Sequence, residues 1–115
     1  MKQSVWVGTS GTRYVYKVSL LPKKFTENRH VNYIYCKMTD GVWVPVYIGH
    51  GILEEIGSDH HHQIRCIREK GATHIHVRFN ENENDRLREE VDLLDNFPQA
   101  YAPTGCNMKA GADLD

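Results

Sequence analysis

Residues 31–48 read VNYIYCKMTDGVWVPVYI. Two β-rich runs, 31–38 and 42–48, flank Thr39-Asp40-Gly41. Asp-Gly between such runs is a strong hairpin signal, because both central residues of the tight turn need positive φ, which Asp tolerates and Gly adopts freely. The turn lies roughly midway between Tyr35 and Tyr47, so antiparallel pairing brings those two rings near each other. Pro45 has no N–H to give to a ladder, which places the second arm at a sheet edge or on a bulge.

Working outward, residues 4–7 and 13–20 (RYVYKVSL) read as two further strands around the turn-like Gly8-Thr9-Ser10-Gly11. After the hairpin, Gly51 and Gly57 bracket a short turn or helix at 52–56. Ser58-Asp59 is an N-cap pattern for a helix running to about Lys70 and stopped by Gly71. Residues 73–79 (THIHVRF) alternate, with Ile75, Val77 and Phe79 expected inward and His74, His76 and Arg78 outward. Asn80 or Asn82 then caps a helix ending near Phe97, before Pro98. On that helix Leu87, Val91, Leu94 and Phe97 form one apolar stripe at helical spacing. Glu90 falls inside the stripe and Glu89 points nearly opposite. The order β-β-β-β-α-α-β-α predicts a small α+β domain, a mostly antiparallel sheet flanked by helices. One domain is expected over residues 1–109, with 110–115 as a frayed tail.

The 115 residues are 40% hydrophobic and 25% charged, which argues against a disordered, collagen-like or coiled-coil chain. No run approaches the roughly 18 apolar residues of a membrane span, and no apolar leader follows Lys2, so a cytoplasmic protein with no membrane association is expected. Fourteen Lys and Arg against fifteen Asp and Glu give a net charge of −1, without the basic excess of a protein that grips nucleic acid by bulk charge. Seven His would turn the chain positive as pH falls below about 6.5. Cys36, Cys66 and Cys106 are odd in number, widely spaced and without a CxxC. They are expected as free, buried thiols in a reducing compartment rather than as a disulfide framework. No P-loop, GxGxxG, GxSxG or HExxH is present.

Three features could carry chemistry. Tyr35 and Tyr47 on opposite hairpin arms are either a cross-strand packing pair or two phenols able to orient a water and relay its proton. An inward Glu90 must be paired, protonated or bound to a cation. It is a partner for Arg86 at i−4, a Glu at the edge of the stripe, or a ligand for Mg²⁺, which takes few protein carboxylates and keeps most of its water. His60-His61-His62 with Cys66 four residues after His62 invites a zinc reading, set against a polar helix start or a single His beside an anionic substrate.

Together these residues resemble the GIY-YIG nuclease superfamily. Tyr33-Ile34-Tyr35 looks like the first motif and Tyr47-Ile48-Gly49 like the second, with eleven residues between Tyr35 and Tyr47. Glu90-x-x-Leu93-Leu94, Pro103 and Asn107 look like the closing pattern, and HHHQIRCIREKGATHIHV is similar to a compact bacterial subgroup of the superfamily. The resemblance implies a small antiparallel sheet flanked by helices and hydrolysis of DNA phosphodiester bonds with one Mg²⁺ or Mn²⁺ held by Glu90. It also implies that Tyr35 and Tyr47 orient or deprotonate the attacking water, with His50 just after YIG as a proton acceptor. His60 or His61 would lie against the scissile phosphate, and Asn107 would brace the site. Two departures stand out. Tyr33 replaces the first Gly of the motif, and Ile56 and Gly57 stand where the family's arginine is expected. Arg65 and Arg68 are the nearest candidates for phosphate contacts in its place. The reading is therefore an endonuclease domain acting on DNA, helped in binding by a protein partner or a second copy. Its alternative is a degenerate fold that binds nucleic acid or a protein without cutting.

Overall fold

The computed structural model describes residues 2–57 and 61–109. The expected helix start at Ser58-Asp59 and the 110–115 tail lie outside the described residues. Five strands, β1 (Gln3–Val7), β2 (Arg13–Leu20), β3 (His30–Thr39), β4 (Val42–Ile52) and β5 (His74–Phe79), form one antiparallel sheet in the order β1-β2-β5-β3-β4. The helices are α1 (Leu53–Ile56), α2 (Ile64–Glu69) and α3 (Glu83–Asn96), followed by a 3-10 turn at Pro98–Ala100. This is the small α+β architecture that the element order predicts.

The hairpin forms as its turn requires, with Asp40 at φ 53° and Gly41 at φ 77°. Tyr35 lies opposite Tyr47, and Tyr33 opposite Gly49. The next pair is Cys36 with Pro45, so Val46 is the extra residue of a bulge, and β4 is an edge strand. Both outcomes follow from the missing N–H of Pro45. One core lies on each face of the sheet. Leu53 and Ile56 of α1 and Ile67 of α2 pack on Val31, Tyr33, Tyr35, Ile75 and Val77. Leu93 and Leu94 of α3 join Trp6, Tyr16, Ile34 and Ile48 on the other face.

The central place of β5 corrects the expectation that His76 faces outward. A strand between β2 and β3 is covered on both faces, and His76 is fully buried. Its Nδ1 accepts from Trp6 Nε1 at 3.0 Å and from Ser4 Oγ at 2.7 Å. The indole N–H can only donate, so the imidazole proton is on Nε2. That edge of the ring has no hydrogen-bond partner among the described residues, and the ring packs against Trp43 with centroids 4.4 Å apart.

The buried face of α3 also differs from the predicted stripe. Leu87 and Val91 are exposed, whereas Arg86, Glu89, Leu93 and Leu94 are buried. The reason is the strand surface opposite the first turns, which is polar. Glu89 accepts from Tyr16 Oη, from Arg78 Nε at 2.9 Å and from Asn80 Nδ2 at 3.4 Å. Burial, then the Glu89 charge, pushes the Tyr16 phenol well above its ordinary value, so it stays a donor. A carboxylate with this many partners is better buried here than Leu87 would be.

The helix predicted to run to Lys70 is shorter, because residues 61–63 form a turn whose His61 O accepts from Ile64 N. Gly71, at φ 80°, closes it. The cysteine expectation is overturned for two of three residues. Cys66 on α2 and Cys106 are joined by a disulfide, with Cα atoms 5.9 Å apart and a sequence separation of 40. Cys36 is free and buried, and burial raises its thiol pKa. No spacing motif marks a pair that distant, and the cysteine set no longer argues for a reducing compartment. No helix among the described residues is long and apolar enough to cross a membrane.

Cys66→Ser is expected to lower stability by about 4 kcal/mol through the longer open loop of the unfolded chain. Urea denaturation should show that loss, and should show the same loss in wild type under dithiothreitol. A variant as stable as wild type would mean that the crosslink adds nothing.

Candidate active site

A cavity of about 400 Å³ opens at the β4 edge, lined by Tyr33, Tyr47, His50, Glu55, Ile56, His61 and His62 together with Gly51 and Ile52. Its floor exists because Gly49 has no side chain. A Cβ there would come within 2.8 Å of the Tyr47 ring and 2.9 Å of Tyr33. In its absence the two rings stack, with centroids 6.0 Å apart and planes 25° from parallel.

Tyr33 Oη lies 2.6 Å from His61 Nε2, and His61 Nδ1 accepts from the Gln63 backbone N–H at 3.0 Å. His61 is buried, its ring edge-on to Tyr33, Tyr35 and Tyr47. Burial first, then the neighbouring His62, lowers its pKa to about 4, so the ring is neutral at ordinary pH. Tyr33's pKa is raised, chiefly by burial and then by Tyr47, Tyr35 and Glu90, so it keeps its proton. Tyr47 is half-buried and its hydroxyl lies 3.4 Å from Nε2 of the exposed His62.

Across the strand edge, His50 Nδ1 is hydrogen-bonded to Glu90 Oε2. That bond raises the His50 pKa, against smaller opposing effects of burial and of the Arg86 charge. The Glu90 partner is thus His50 and not Arg86, whose NH1 donates to Asn80 O at 2.9 Å. The expected site residues divide as follows. Tyr47, His50 and His61 line the cavity, and Glu90 reaches it through His50. Tyr35 lies one layer beneath. It is fully buried, its hydroxyl is bonded to Ile56 O, and burial pushes its pKa up to about 12. Asn107 Oδ1 accepts from Ile48 N at 2.9 Å and Nδ2 donates to Ile48 O at 2.8 Å, so one amide satisfies the open edge of β4 beside Tyr47. Arg65 and Arg68 are exposed, and Arg68 lines a separate cavity of about 230 Å³ behind Tyr35. His60 lies outside the described residues.

No group of three or more His, Cys, Asp or Glu among the described residues could hold a metal. The zinc reading of His62 with Cys66 is overturned, since Cys66 is spent in the disulfide. Tyr33, which the sequence reading marks only as a departure from the motif's first Gly, is a cavity residue, and so is Glu55, which that reading does not name. The signal for Tyr33 was its place across the hairpin from a glycine, which leaves room for a ring.

The chain matches no protein-family model, no curated protein and no solved structure.

Two outcomes follow from this packing. Gly49→Ala is expected to push the Tyr33 and Tyr47 rings apart and to cost roughly 1–3 kcal/mol, read as a lower urea midpoint and as shifted aromatic NMR signals. The second concerns pH. His61 and His76 both have pKa values lowered to about 4, His76 by burial and then His74. The unfolded chain, with ordinary imidazoles, takes up protons first as pH falls. The contribution of these two rings is therefore full above about pH 6.5 and is lost progressively toward pH 4, by up to roughly 3 kcal/mol for each ring, while the raised His50 pKa works in the opposite direction. Urea midpoints measured from pH 7.5 to 4 check the sign, and a midpoint independent of pH over that window would contradict it.

Proposed function

We propose that this chain is a GIY-YIG-like endonuclease domain that hydrolyses DNA phosphodiester bonds with one divalent cation. The observation that carries the reading is the convergence, at one end of the β3–β4 hairpin, of two phenols, a neutral imidazole and a carboxylate–imidazole pair. Phosphodiester hydrolysis needs a group to take a proton from water, a group to protect or protonate the leaving oxygen, and positive charge for the phosphoryl oxygens.

The donor set suits a hard cation. Glu90 has one oxygen on His50 and a second for a metal, and Mg²⁺ or Mn²⁺ completes its shell with water and phosphate oxygens without needing a cage of three protein ligands. Glu90 would hold that ion, which when bound supplies Lewis-acid stabilisation of the phosphoryl charge. The chain's own groups do the rest. Tyr47 meets the water, His50 carries a proton at the rim of the cavity, and buried His61 excludes water behind the phenols. Asn107 keeps β4, and with it Tyr47, in place.

A second reading has its own support. No Lys or Arg lines the cavity among the described residues, so a phosphate would meet no fixed guanidinium there. A degenerate fold that binds nucleic acid or a protein partner without cutting fits that lining.

Nicking of supercoiled plasmid in Mg²⁺ or Mn²⁺ separates the two. Wild type is expected to nick, and Glu90→Ala is expected to lose at least 100-fold in rate (on the order of the effect of removing a metal's protein ligand) while keeping its fold. Absence of nicking by folded wild type in both metals would reject the nuclease and leave the binder.

A further inference from the structure

The near-neutral total conceals a division of charge along the chain. Residues 1–30 hold six Lys or Arg and a single acid, Glu27, whereas the remainder holds eight Lys or Arg against fourteen Asp or Glu. The fold keeps the two apart. Glu83, Asp85, Glu89, Glu90, Asp92 and Asp95 all belong to α3, which packs on one face of the sheet. Trp6 and Tyr16 are buried on that face, so the alternate residues Val5, Arg13, Val15 and Lys17 of β1 and β2 turn to the opposite side, where they are exposed. The segment 21–29 runs over that same side. Its Leu21 and Phe25 pack on the core under α1 and α2, and Arg29 O and Glu27 O accept from Leu53 N at 2.8 Å and Glu54 N at 3.1 Å. The segment carries exposed Lys23 and Lys24. Its end meets β2 at Phe79, whose ring centroid lies 5.0 Å from Lys17 Nζ and 3.9 Å from the Arg29 guanidinium.

We propose that this β1–β2 face, with Arg13, Lys17, Lys23 and Lys24, is a docking surface for the phosphate backbone of duplex DNA. Charge complementarity commits the face to that occupant. None of the four cations makes an ion pair among the described residues, whereas Arg29 is partly neutralised by Glu81 at 3.1 Å and Glu27 at 3.9 Å. A duplex carries one negative charge about every 1.7 Å and gains counterion entropy from each protein cation that replaces its own. The exposed apolar part of the face is the cross-strand pair Val5 and Val15, too small for the hydrophobic centre of a protein interface. Position supports the same choice. Lys17 pairs with Val77, Val77 with Tyr33 and Tyr33 with Gly49, in one row across the sheet. The patch and the cavity therefore lie on one side of the sheet. Three strand spacings set β2 and β4 about 14 Å apart, roughly the rise of four base pairs and a separation that the phosphates of one duplex can bridge. The patch supplies the positive charge that the described lining of the cavity lacks. This rests on the nuclease reading for what the duplex is held for, while the surface itself serves the non-cutting alternative equally.

The test is a titration of a short fluorescent DNA duplex with the full chain in EDTA, where binding is read without cleavage, over a series of salt concentrations. The wild-type association constant is expected to fall steeply with salt, with a log–log slope of about −3 to −4 for four phosphate contacts. Lys17→Gln, which keeps most of the stem over Phe79, is expected to weaken binding several-fold and to reduce the slope by about one. Replacing all four cations by Gln is expected to cost roughly 100-fold. Arg88→Gln removes a charge from the exposed side of α3 and is expected to bind as wild type does. Urea midpoints check that these exposed substitutions leave the fold intact, and Lys17→Gln and Lys24→Gln singly decide the matter where the fourfold variant is destabilised. Full binding by the variants, an equal loss in Arg88→Gln, or no binding by wild type at low salt overturns the proposal. Equally tight binding of polyglutamate or of anionic lipid vesicles also overturns it, and makes the face a site for an acidic protein or a membrane. The nuclease reading is decided separately. Surface-dependent binding without plasmid nicking keeps the surface and rejects the nuclease, whereas nicking with undiminished binding by the fourfold variant keeps the nuclease and rejects the surface.

Discussion

The register of β3 against β4 is the constraint on which the site depends. Tyr35 opposite Tyr47 and Tyr33 opposite Gly49 put three phenol rings and one vacancy on a single face. A slip of one residue would send all four to the other face, into the core under α3. The Asp40-Gly41 turn fixes the register at one end. At the other end of the motif, Asn107 occupies both Ile48 backbone groups as a neighbouring strand would, and Cys106 N donates to Val46 O at 2.8 Å. The disulfide carries that clamp back to α2, just after the turn that holds His61. Strand, closing segment and helix are thus tied to one another around Tyr47, although they are far apart in the chain.

On the opposite face, α3 is placed by polar chemistry rather than by an apolar stripe. Glu89 is enclosed by Tyr16, Arg78 and Asn80, and Asn32 Nδ2 donates to Arg86 O at 3.0 Å. Burying a carboxylate is costly unless its oxygens are filled, and here they are. The consequence for the site is rotational. With Glu89 facing the sheet, Glu90 is carried to the helix edge, where it meets His50 instead of disappearing into the core. A helix seated on Leu87 and Val91 would have turned Glu90 elsewhere.

Much of this fold was legible in residues 31–48, because turn chemistry and strand alternation are local. Asp-Gly specifies the hairpin, Pro45 the edge and bulge, and Asn82 caps α3, accepting from Asp85 N at 3.0 Å. What was not legible depends on contacts between distant segments. The position of β5 between β2 and β3 cannot be read from its own six residues, yet it decides that His76 is buried. The Cys66–Cys106 pairing spans 40 residues, and the choice between Glu89 and Glu90 as the buried acid depends on which strand residues lie opposite. At the site the sequence pointed to Tyr35 by motif position. The structure brings Tyr33 to the cavity instead, since only a ring in that register lies over a glycine.

The electrostatics of the cavity explain why its tyrosines need such careful arrangement. Its lining holds Glu55 and reaches Glu90, and Arg86, the cation whose charge reaches His50, is buried behind it. A phenol in such a place has little positive charge to draw off its proton and sits beside groups that oppose ionisation. Desolvation makes this worse for Tyr33 and Tyr35, which hold their protons firmly. Tyr47 differs in being half-exposed, beside a row of hydrogen bonds that runs from the Gln63 backbone through His61 to Tyr33. Each donor in that row fixes the next, and none needs to ionise. The same geometry therefore accounts for a buried neutral histidine and for a tyrosine in place of the motif's first glycine, whose ring lies over Gly49.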